Sequence, residues 1–309
     1  MKIIITGGTG LIGRALAADL AAGQNEVIVL TRNPIASKKL PDGVSAVVWD
    51  GKSANGWGKH ADGADAIVNL AGESIAGETP LKIRWTAARK RRILESRLNA
   101  GKAVVEAVAN AAKKPGVVIQ SSAVGYYGAR STPPFDEDAP AGSDFLAGVC
   151  KDWEASTSAV EGMGVRRVVI RTGVVLSKDG GALPLQMLPF LFFAGGPIGN
   201  GRQGYPWIHI ADEVKAIRFL IENPFASGVY NLTAPKMVSN AEFSKSLGKA
   251  LNRPAFIPTP AFVYQLAFGE AATILVDGQL PQPKRLLQAG FQFRFSEAEP
   301  ALRDLLQKK

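Results

Sequence analysis

Short hydrophobic runs alternate with longer helical patterns through the first half of the chain. Lys2–Thr6 is rich in β-branched residues and ends in glycines, which is typical of a buried strand. Arg14–Ala22 is rich in alanine and leucine and is followed by Gly23, which predicts a helix with a glycine stop. The alternation predicts further strands at Glu26–Thr31, Ala46–Trp49, Ala66–Leu70, Val117–Ser121 and Arg166–Arg171, and helices at Arg84–Ala112 and Phe145–Glu161.

Strands separated by helices of this length form βαβ units, so the pattern predicts a doubly wound α/β fold with a parallel sheet (Rossmann). Residues 172–206 are rich in glycine and proline, with an apolar stretch at Leu183–Phe193. A return to the sheet is predicted at Trp207–Ile210, a helix from Asp212 to Ile221, and Val229–Leu232. The tail is mostly helical, at 239–251, 260–275, 283–289 and 296–307.

We therefore expect a Rossmann domain over residues 1–232 and a smaller, mostly helical C-terminal lobe over residues 233–309 on the substrate side. Residues 176–206 are expected to contribute to that lobe. The ligand cleft would lie between the two, at the carboxyl ends of the strands.

The composition is globular, with 46% hydrophobic and 20% charged residues among 309. No apolar run approaches the roughly 18–20 residues needed to cross a bilayer. The first residues pass into glycines, which predicts no secretory signal. Cys150 is the one cysteine, so an internal disulfide is excluded and a cytoplasmic location is expected.

Basic residues exceed acidic ones by 36 to 27, which gives a formal charge of +9. Such a surplus suits nucleic acid, an anionic membrane or a phosphorylated small ligand. Residues 82–97 carry part of it, but the chain has no nucleic-acid-binding motif, which favours a solvated helix face over a nucleic-acid site. We expect a small-molecule substrate, no nucleic-acid or membrane partner, and a homodimer as the candidate assembly.

A glycine-rich turn lies between the first predicted strand and the first predicted helix, with glycines at 7, 10 and 13. In a dinucleotide site, one glycine makes the tight turn, another lets the backbone approach a pyrophosphate, and the third lets helix and strand pack closely. The diphosphate then lies on the free amides of the helix N-terminus. The candidate cofactor-binding residues of this turn are Gly7, Thr9, Gly10, Leu11, Ile12 and Gly13.

The end of the second strand distinguishes the two nicotinamide cofactors. An NAD site commonly offers an acid there to hold the ribose hydroxyls. This chain has Arg32 instead, and no acid until Asp42. A guanidinium can pair with a 2′-phosphate, and Lys38 and Lys39 could strengthen the field. The sequence therefore predicts NADP, with an ordinary surface arginine as the alternative.

Further motifs are spread over nearly the whole chain. They are Asn69–Glu73, Arg84-Trp85, Ser96-Arg97, Ser121–Gly128, Arg171–Leu176, Gly195–Gly201, Trp207–Ile210, Asp277–Gln279, Pro283–Leu286 and Gly290-Phe291. With the glycine turn, they resemble the extended short-chain dehydrogenase/reductase family, and most of all its atypical epimerase-like branch, whose members end in an uncharacterised domain. The resemblance implies that Leu70, Ala71 and Gly72 close over the cofactor.

Arg97 matches a family position near the active site, and helical spacing turns it toward the apolar side. A buried arginine needs an anionic partner, so cofactor phosphate, a substrate carboxylate and Glu73 are candidates. A structural ion pair with Glu73 or Glu106 is the alternative.

The resemblance also implies a catalytic serine or threonine and a Tyr-x-x-x-Lys pair, in which tyrosine transfers the proton and lysine lowers its pKa. Ala123 stands where the family has its serine, which leaves Ser122 as the neighbouring candidate. On the expected helix, one register places Leu146 and Cys150 at the pair, and the other places Ala147 and Lys151. Neither supplies a tyrosine.

Tyr126 or Tyr127, from the preceding loop, could replace the missing acid, with Lys151 as the candidate lysine. We therefore expect an NADP(H)-dependent oxidoreductase or epimerase-like enzyme acting on an unidentified small molecule. The alternative is a catalytically silent NADP(H)-binding sensor or regulatory protein. Two histidines and one cysteine make a transition-metal site improbable.

Overall fold

The computed structural model of the chain describes residues 1–33, 40–77 and 83–307. Its strands are β1 (Lys2–Thr6), β2 (Glu26–Thr31), β3 (Val44–Val48), β4 (Ala66–Asn69), β5 (Val117–Ala123), β6 (Arg130–Phe135), β7 (Arg166–Thr172), β8 (Val174–Leu176), β9 (Trp207–His209), β10 (Gly228–Leu232) and β11 (Gln279–Pro281). In these three ranges, no helix is both long and apolar enough to span a bilayer.

The helices alternate with the strands in the first half and dominate the tail. They are α1 (Leu11–Ala22), α2 (Ala87–Asn110), α3 (Phe145–Ala155), α4 (Leu183–Leu191), α5 (Ile210–Glu222), α6 (Asn240–Leu251), α7 (Ala261–Phe268), α8 (Thr273–Val276), α9 (Lys284–Gln288) and α10 (Ala298–Leu306). The predicted helix over 260–275 is interrupted at Gly269, whose φ of 59° belongs to the left-handed region that favours glycine.

The main sheet has seven strands in the order β10-β7-β5-β4-β1-β2-β3, and every pairing is parallel. This arrangement confirms the doubly wound α/β fold. Because the strands are parallel, the carboxyl ends of β1, β2, β3 and β4 meet at one edge, which is where such folds bind their ligands.

The predicted return of Trp207–Ile210 to the main sheet is wrong. β9 pairs with β8 in a separate two-stranded sheet, with Val174 opposite Trp207. The edge beside β7 is taken by β10, with Leu232 opposite Thr172, so no place remains there for β9. A second small sheet, β6 with β11, was not predicted, because two prolines in β6 argue against a strand.

Alternate side chains of β1 enter two different cores, one on each face of the sheet. Ile3 and Ile5 pack with α1 and α5 residues such as Leu16 and Leu220. Ile4 packs on the other face, among residues of α2 that include Val104. This two-sided burial explains why the strand is apolar at consecutive positions.

A third core joins the glycine- and proline-rich segment to the tail. Leu183 and Phe190 of α4 are buried together with Phe243 of α6 and Leu302 of α10. Trp207 belongs to the same cluster. This packing therefore fastens α4 to the helical tail.

The first helix lies very close to the first strand because Gly13 has no side chain. A Cβ on Gly13 would lie 2.5 Å from the carbonyl oxygen of Gly7 and 2.5 Å from Cα of Gly8. Neither atom belongs to a flexible side chain, so a larger residue must push the helix away from the turn.

We predict that Gly13→Ala lowers the free energy of unfolding by about 1–3 kcal/mol, because the added methyl overpacks a backbone contact. Gly148 of α3 is the matched control, since a Cβ there would meet no atom within 4 Å. Gly148→Ala is expected to stabilise the protein by about 0.5–1 kcal/mol through helix propensity. Denaturant unfolding of both variants measures the difference, and equal effects would contradict the packing argument.

Candidate functional site

A cleft of about 480 Å³ opens at the carboxyl edge of the sheet. It receives residues from the ends of β1 to β4 and from α2. Its lining residues are Gly7, Thr9, Gly10, Leu30, Thr31, Arg32, Trp49, Asp50, Gly51, Lys52, Leu70, Ala71, Gly72, Glu73, Arg92, Glu95, Ser96 and Asn99. Seven of the predicted cofactor-binding residues thus line one cleft, while Leu11, Ile12, Gly13 and Arg97 lie outside this set.

The glycine turn forms one wall of the cleft. Gly7 has φ +67°, and a Cβ on it would lie 2.9 Å from the carbonyl carbon and oxygen of Leu70. The turn therefore touches the loop after β4 through backbone atoms, and only glycine permits this approach. Gly10 precedes α1 and donates its N–H to the Gly7 carbonyl at 3.0 Å.

The amino end of α1 faces this wall without a side-chain cap. The first-turn N–H groups of a helix have no partner within the helix, so those of Leu11, Ile12 and Gly13 are suited to bind an anion. The side chain of Ile12 packs against the first core, and that of Leu11 lies 3.1 Å from the position of a Cβ on Gly181. Their role at the cleft therefore belongs to the backbone.

A chain of buried hydrogen bonds joins the ends of β1 and β4 to the middle of β5. Thr6 Oγ1 donates to Asn69 Oδ1 at 2.6 Å, and Asn69 Nδ2 donates to Gln120 Oε1 at 2.9 Å. Thr6 Oγ1 also accepts the N–H of Ala71 at 3.1 Å. These bonds hold β1, β4 and β5 in register at the cleft and fix the start of the loop that carries Ala71 and Gly72.

Arg32 lies exposed at the end of β2, beside the loop that follows β3. Gly51 has φ +80°, and a Cβ on it would lie 3.1 Å from Cδ of Arg32. The next residue, Lys52, lines the same cleft and was missed by the sequence analysis. Its position just past the carboxyl end of a parallel strand could have identified it. Lys38 and Lys39 lie outside the described residues.

Asp50 is the acid beside these two cations, and its carboxylate turns back into its own loop. It accepts the backbone N–H of Lys52 at 2.7 Å and that of Ser53 at 2.9 Å. These hydrogen bonds lower the pKa of Asp50, so the carboxylate is ionised at neutral pH. The outer end of the cleft therefore combines Arg32 and Lys52, which form no ion pair with any other residue that the structure describes, with an acid that is already hydrogen-bonded.

Arg97 lies behind the cleft wall and is 8% exposed. Its Nη1 donates to the backbone carbonyls of Glu73 at 3.0 Å and Ile93 at 2.9 Å. The guanidinium lies 4.7 Å from the ring of Trp153 and backs directly onto Gly72, where a Cβ would be 3.0 Å from Cζ. Burial lowers the pKa of Arg97.

Among the residues that the structure describes, Arg97 forms an ion pair with neither Glu73 nor Glu106. The Glu73 carboxylate pairs with Arg92 instead, at 3.3 Å. Glu106 accepts the N–H of Ala54 at 2.9 Å. Arg97 therefore shapes the wall behind Gly72 through backbone hydrogen bonds and stacking.

Leu146 and Cys150 occupy the face of α3 that meets the end of β5. A Cβ on Gly125 would lie 3.4 Å from Cβ of Leu146 and 3.8 Å from Sγ of Cys150. Burial raises the pKa of the Cys150 thiol to about 11, so the thiol stays protonated at neutral pH. Lys151 is exposed. The geometry thus favours the register that places Leu146 and Cys150 where the family has tyrosine and lysine.

A buried ion pair lies beneath this position. Arg171 Nε and Nη2 donate to the two carboxylate oxygens of Glu154 at 2.8 and 2.9 Å. Ser122 Oγ donates to the same carboxylate at 2.7 Å, and Ser122 is 2% exposed. Sequence reasoning did not identify this pair, since its partners lie on β7 and α3.

The two tyrosines of the loop differ in what their side chains contact. Tyr127 is 3% exposed, and its hydroxyl donates to Asn231 at 2.7 Å and accepts from Arg171 at 3.0 Å. Burial raises the pKa of Tyr127 to about 12. Tyr126 is half-buried, and the Arg171 guanidinium lies 3.4 Å from its ring centroid.

Neither histidine has a place in the cleft lining. His209 is buried at the start of α5, where Nδ1 accepts the N–H of Ala211 at 3.0 Å. Burial lowers the pKa of His209 to about 4. Over the described ranges, no group of three or more histidine, cysteine, aspartate or glutamate side chains is placed to hold a metal ion.

Two family models match the chain. Residues 3–233 match the NAD dependent epimerase/dehydratase family, and residues 259–305 match a domain of unknown function, DUF1731. The second match covers much of the helical tail.

Relatives from distant organisms match over almost the whole length. Epimerase family protein SDR39U1 of Bos taurus is 40% identical, covering 99% of this chain and 100% of the relative. Epimerase family protein YfhF of Bacillus subtilis is 39% identical, covering 99% and 98%. The chloroplastic SDR39U1 homologue of Arabidopsis thaliana is 38% identical, covering 99% and 87%.

Solved structures agree with the fold. Human SDR39U1 (isoform 2), crystallised with NADPH, matches with a TM-score of 0.90 and 38% identity over 100% of both chains. A UDP-N-acetylglucosamine 4-epimerase from Methanobrevibacter ruminantium matches at 0.77 with 19% identity, covering 99% and 97%, which is a likeness of fold alone. By sequence and by architecture, this chain belongs to the NAD-dependent epimerase/dehydratase family, in its epimerase-like branch with a C-terminal domain of unknown function.

Proposed function

We propose that this protein is a cytoplasmic, NADP(H)-dependent oxidoreductase or epimerase-like enzyme that acts on a small molecule. The observation that carries the proposal is the pair of cations, Arg32 and Lys52, at the outer end of a cleft whose inner end is the glycine turn. The similar human protein was crystallised with NADPH.

The residues present fit a phosphorylated dinucleotide along the whole cleft. The first-turn amides of α1 would hold the diphosphate, and Gly7 and Gly72 leave room for the backbone to approach it. Arg32 and Lys52 would hold the 2′-phosphate, which an acid at the end of β2 would repel. Leu70 and Ala71 would close over the bound cofactor, which supplies a hydride acceptor or donor.

We predict that Arg32→Asp weakens NADPH binding at least about tenfold more than NADH binding, because a charge-assisted hydrogen bond is replaced by repulsion. Lys52→Ala is expected to act in the same direction with a smaller effect. Arg91→Asp is the matched control, since this exposed arginine is outside the cleft. Calorimetric titration of each variant with both cofactors gives the ratios, and equal losses for NADPH and NADH would contradict the assignment.

Of the four candidate catalytic residues, Tyr126 is the one we propose as the proton donor or acceptor, because of the positions of the other three. Ser122 is hydrogen-bonded to Glu154, Lys151 is exposed, and the Tyr127 hydroxyl is held by Asn231 and Arg171. The Arg171 guanidinium lies 3.4 Å from the Tyr126 ring centroid, and its bonds to Glu154 fix this cation beside the tyrosine. We infer that Tyr126 delivers or accepts the proton at the substrate oxygen.

We predict that Tyr126→Phe abolishes turnover while NADPH affinity stays unchanged. Turnover is measured as loss of NADPH absorbance across a panel of aldehydes, ketones and nucleoside diphosphate sugars. Tyr127→Phe is the comparison: it removes a buried hydrogen bond and is expected to lower stability by about 1–3 kcal/mol while keeping turnover. Full activity in the Tyr126 variant would contradict its role.

A catalytically silent NADP(H) sensor is the second candidate function. The substitution of the usual tyrosine and lysine positions by Leu146 and Cys150 favours it. The same panel decides between the two, because a sensor binds NADPH without consuming any compound. In either case residues 1–232 would hold the cofactor, and the lobe of residues 233–309 with 176–206 would face the substrate or a regulated partner.

A further inference from the structure

The helix α7 is apolar, yet it lies on the surface of the protein. None of its residues is buried. Phe262 is 64% exposed and Leu266 is 74% exposed. Single large apolar side chains are common on protein surfaces, but several of them on one exposed helix are typical of an interaction site.

A second apolar face lies on α4. Leu185 and Leu188 are exposed and three residues apart, and Phe192, four residues further, continues the same side of the helix at 79% exposure. The opposite side of α4 carries Leu183 and Phe190, which fill the third core. The exposed side of α4 therefore contributes nothing to the packing of the third core.

Backbone hydrogen bonds join the loop that follows α4 to the loop that precedes α7. Thr259 donates its N–H to the carbonyl of Pro197 at 2.9 Å, and its own carbonyl accepts the N–H of Gly199 at 2.8 Å. Ile257 donates to the carbonyl of Gly195 at 3.1 Å. The large exposed side chains that these segments carry form what we call the apolar surface: Leu185, Leu188, Leu191, Phe192, Phe193, Phe256, Ile257, Phe262, Val263 and Leu266.

The two segments that carry the apolar surface contain no charged residue, and an arginine lies beside each of them. Residues 180–201 and 254–269 contain no charged side chain. Arg253 lies 4.6 Å from the ring of Phe193 at one end. At the other end, Arg84 donates to the carbonyls of Leu266 and Ala267 and so fixes a cation to the end of α7.

Glu270, the acid that follows α7, adds no unpaired negative charge beside the apolar surface, because it forms an ion pair with a described lysine. Glu270 pairs with Lys90, near the start of the basic segment of α2. Arg91 in that segment is also exposed, with 73% of its side chain accessible, and it pairs with Glu95 at 3.8 Å. Lys82 lies outside the described residues. The whole chain carries +9, so its far field attracts anions.

From this geometry we propose that the apolar surface docks onto an anionic lipid bilayer. Phenylalanine and leucine side chains would enter the boundary between headgroups and acyl chains, while the rim arginines meet lipid phosphates. A second copy of the chain fits this surface less well, because two copies would bring their rim arginines and a charge of +9 each together. This surface is separate from the cofactor cleft, and the proposal goes beyond the proposed function.

The sequence predicts no membrane partner, because none of its apolar runs is long enough to cross a bilayer. A surface that lies on a bilayer needs no such run, and here it is divided between two segments more than fifty residues apart in the chain. The two segments come together only in the folded chain, through backbone hydrogen bonds between residues 195–199 and 257–259.

The test is vesicle co-sedimentation of the full chain at low salt. The vesicles are phosphatidylcholine alone, and an equimolar mixture of phosphatidylcholine and phosphatidylglycerol. We expect tight binding to the anionic vesicles and weak binding to the neutral ones. The double variant Phe262→Ser/Leu266→Ser is expected to reduce anionic binding at least about tenfold, since two large apolar side chains no longer enter the bilayer.

Phe225→Ser is the matched control, since Phe225 is 90% exposed but lies between α5 and β10. It is expected to bind vesicles like the unaltered chain. Retained NADPH affinity in all variants verifies that they fold. Absence of sedimentation with anionic vesicles overturns the proposal, as does equal binding by the double variant. Light scattering that shows a dimer in solution, dissociated by the double variant, would assign the surface to self-association instead.

Discussion

The cleft depends on a contact between two stretches of backbone. Gly7 approaches the carbonyl of Leu70, and Gly13 approaches the carbonyl of Gly7, at distances that leave no space for a Cβ. These contacts bring the amino end of α1 to the loop after β4, where Gly7, Gly10 and Leu70 line the same cleft. The buried bonds among Thr6, Asn69 and Gln120 hold the ends of β1 and β4 in register with the middle of β5. Without that close approach, the glycine turn and the loop after β4 would not form one wall of the cleft that Arg32 and Lys52 also line.

The sequence predicts the part of the site that local pattern encodes. The turn at residues 6–13 carries its own spacing, and Arg32 follows directly from the end of a strand. Lys52 was missed because it lies four residues past the end of β3, on a loop that comes beside Arg32 only in the folded chain. The ion pair of Arg171 with Glu154 joins β7 to α3, and only tertiary structure brings those elements together. The position of β9 was also predicted wrongly because it depends on tertiary structure: β10 occupies the edge of the main sheet beside β7, and β9 pairs with β8.

The replaced catalytic positions set the functional question. Leu146 and Cys150 pack against the end of β5 where the family has a proton donor and its lysine. Directly beneath them, a guanidinium held by Glu154 stacks on Tyr126. Arg171 therefore supplies a fixed cation beside Tyr126, and the role proposed for Tyr126 rests on that contact. A sensor would need the cofactor cleft but not this arrangement.

Calorimetric titration of the purified protein with NADPH and with NADH tests most directly whether the cleft binds a phosphorylated dinucleotide. Any cofactor carried through purification is removed and identified first. We predict tight binding of NADPH and binding of NADH at least about tenfold weaker, because Arg32 and Lys52 would meet a phosphate that NADH lacks. Binding of neither cofactor, or equal binding of both, would contradict it.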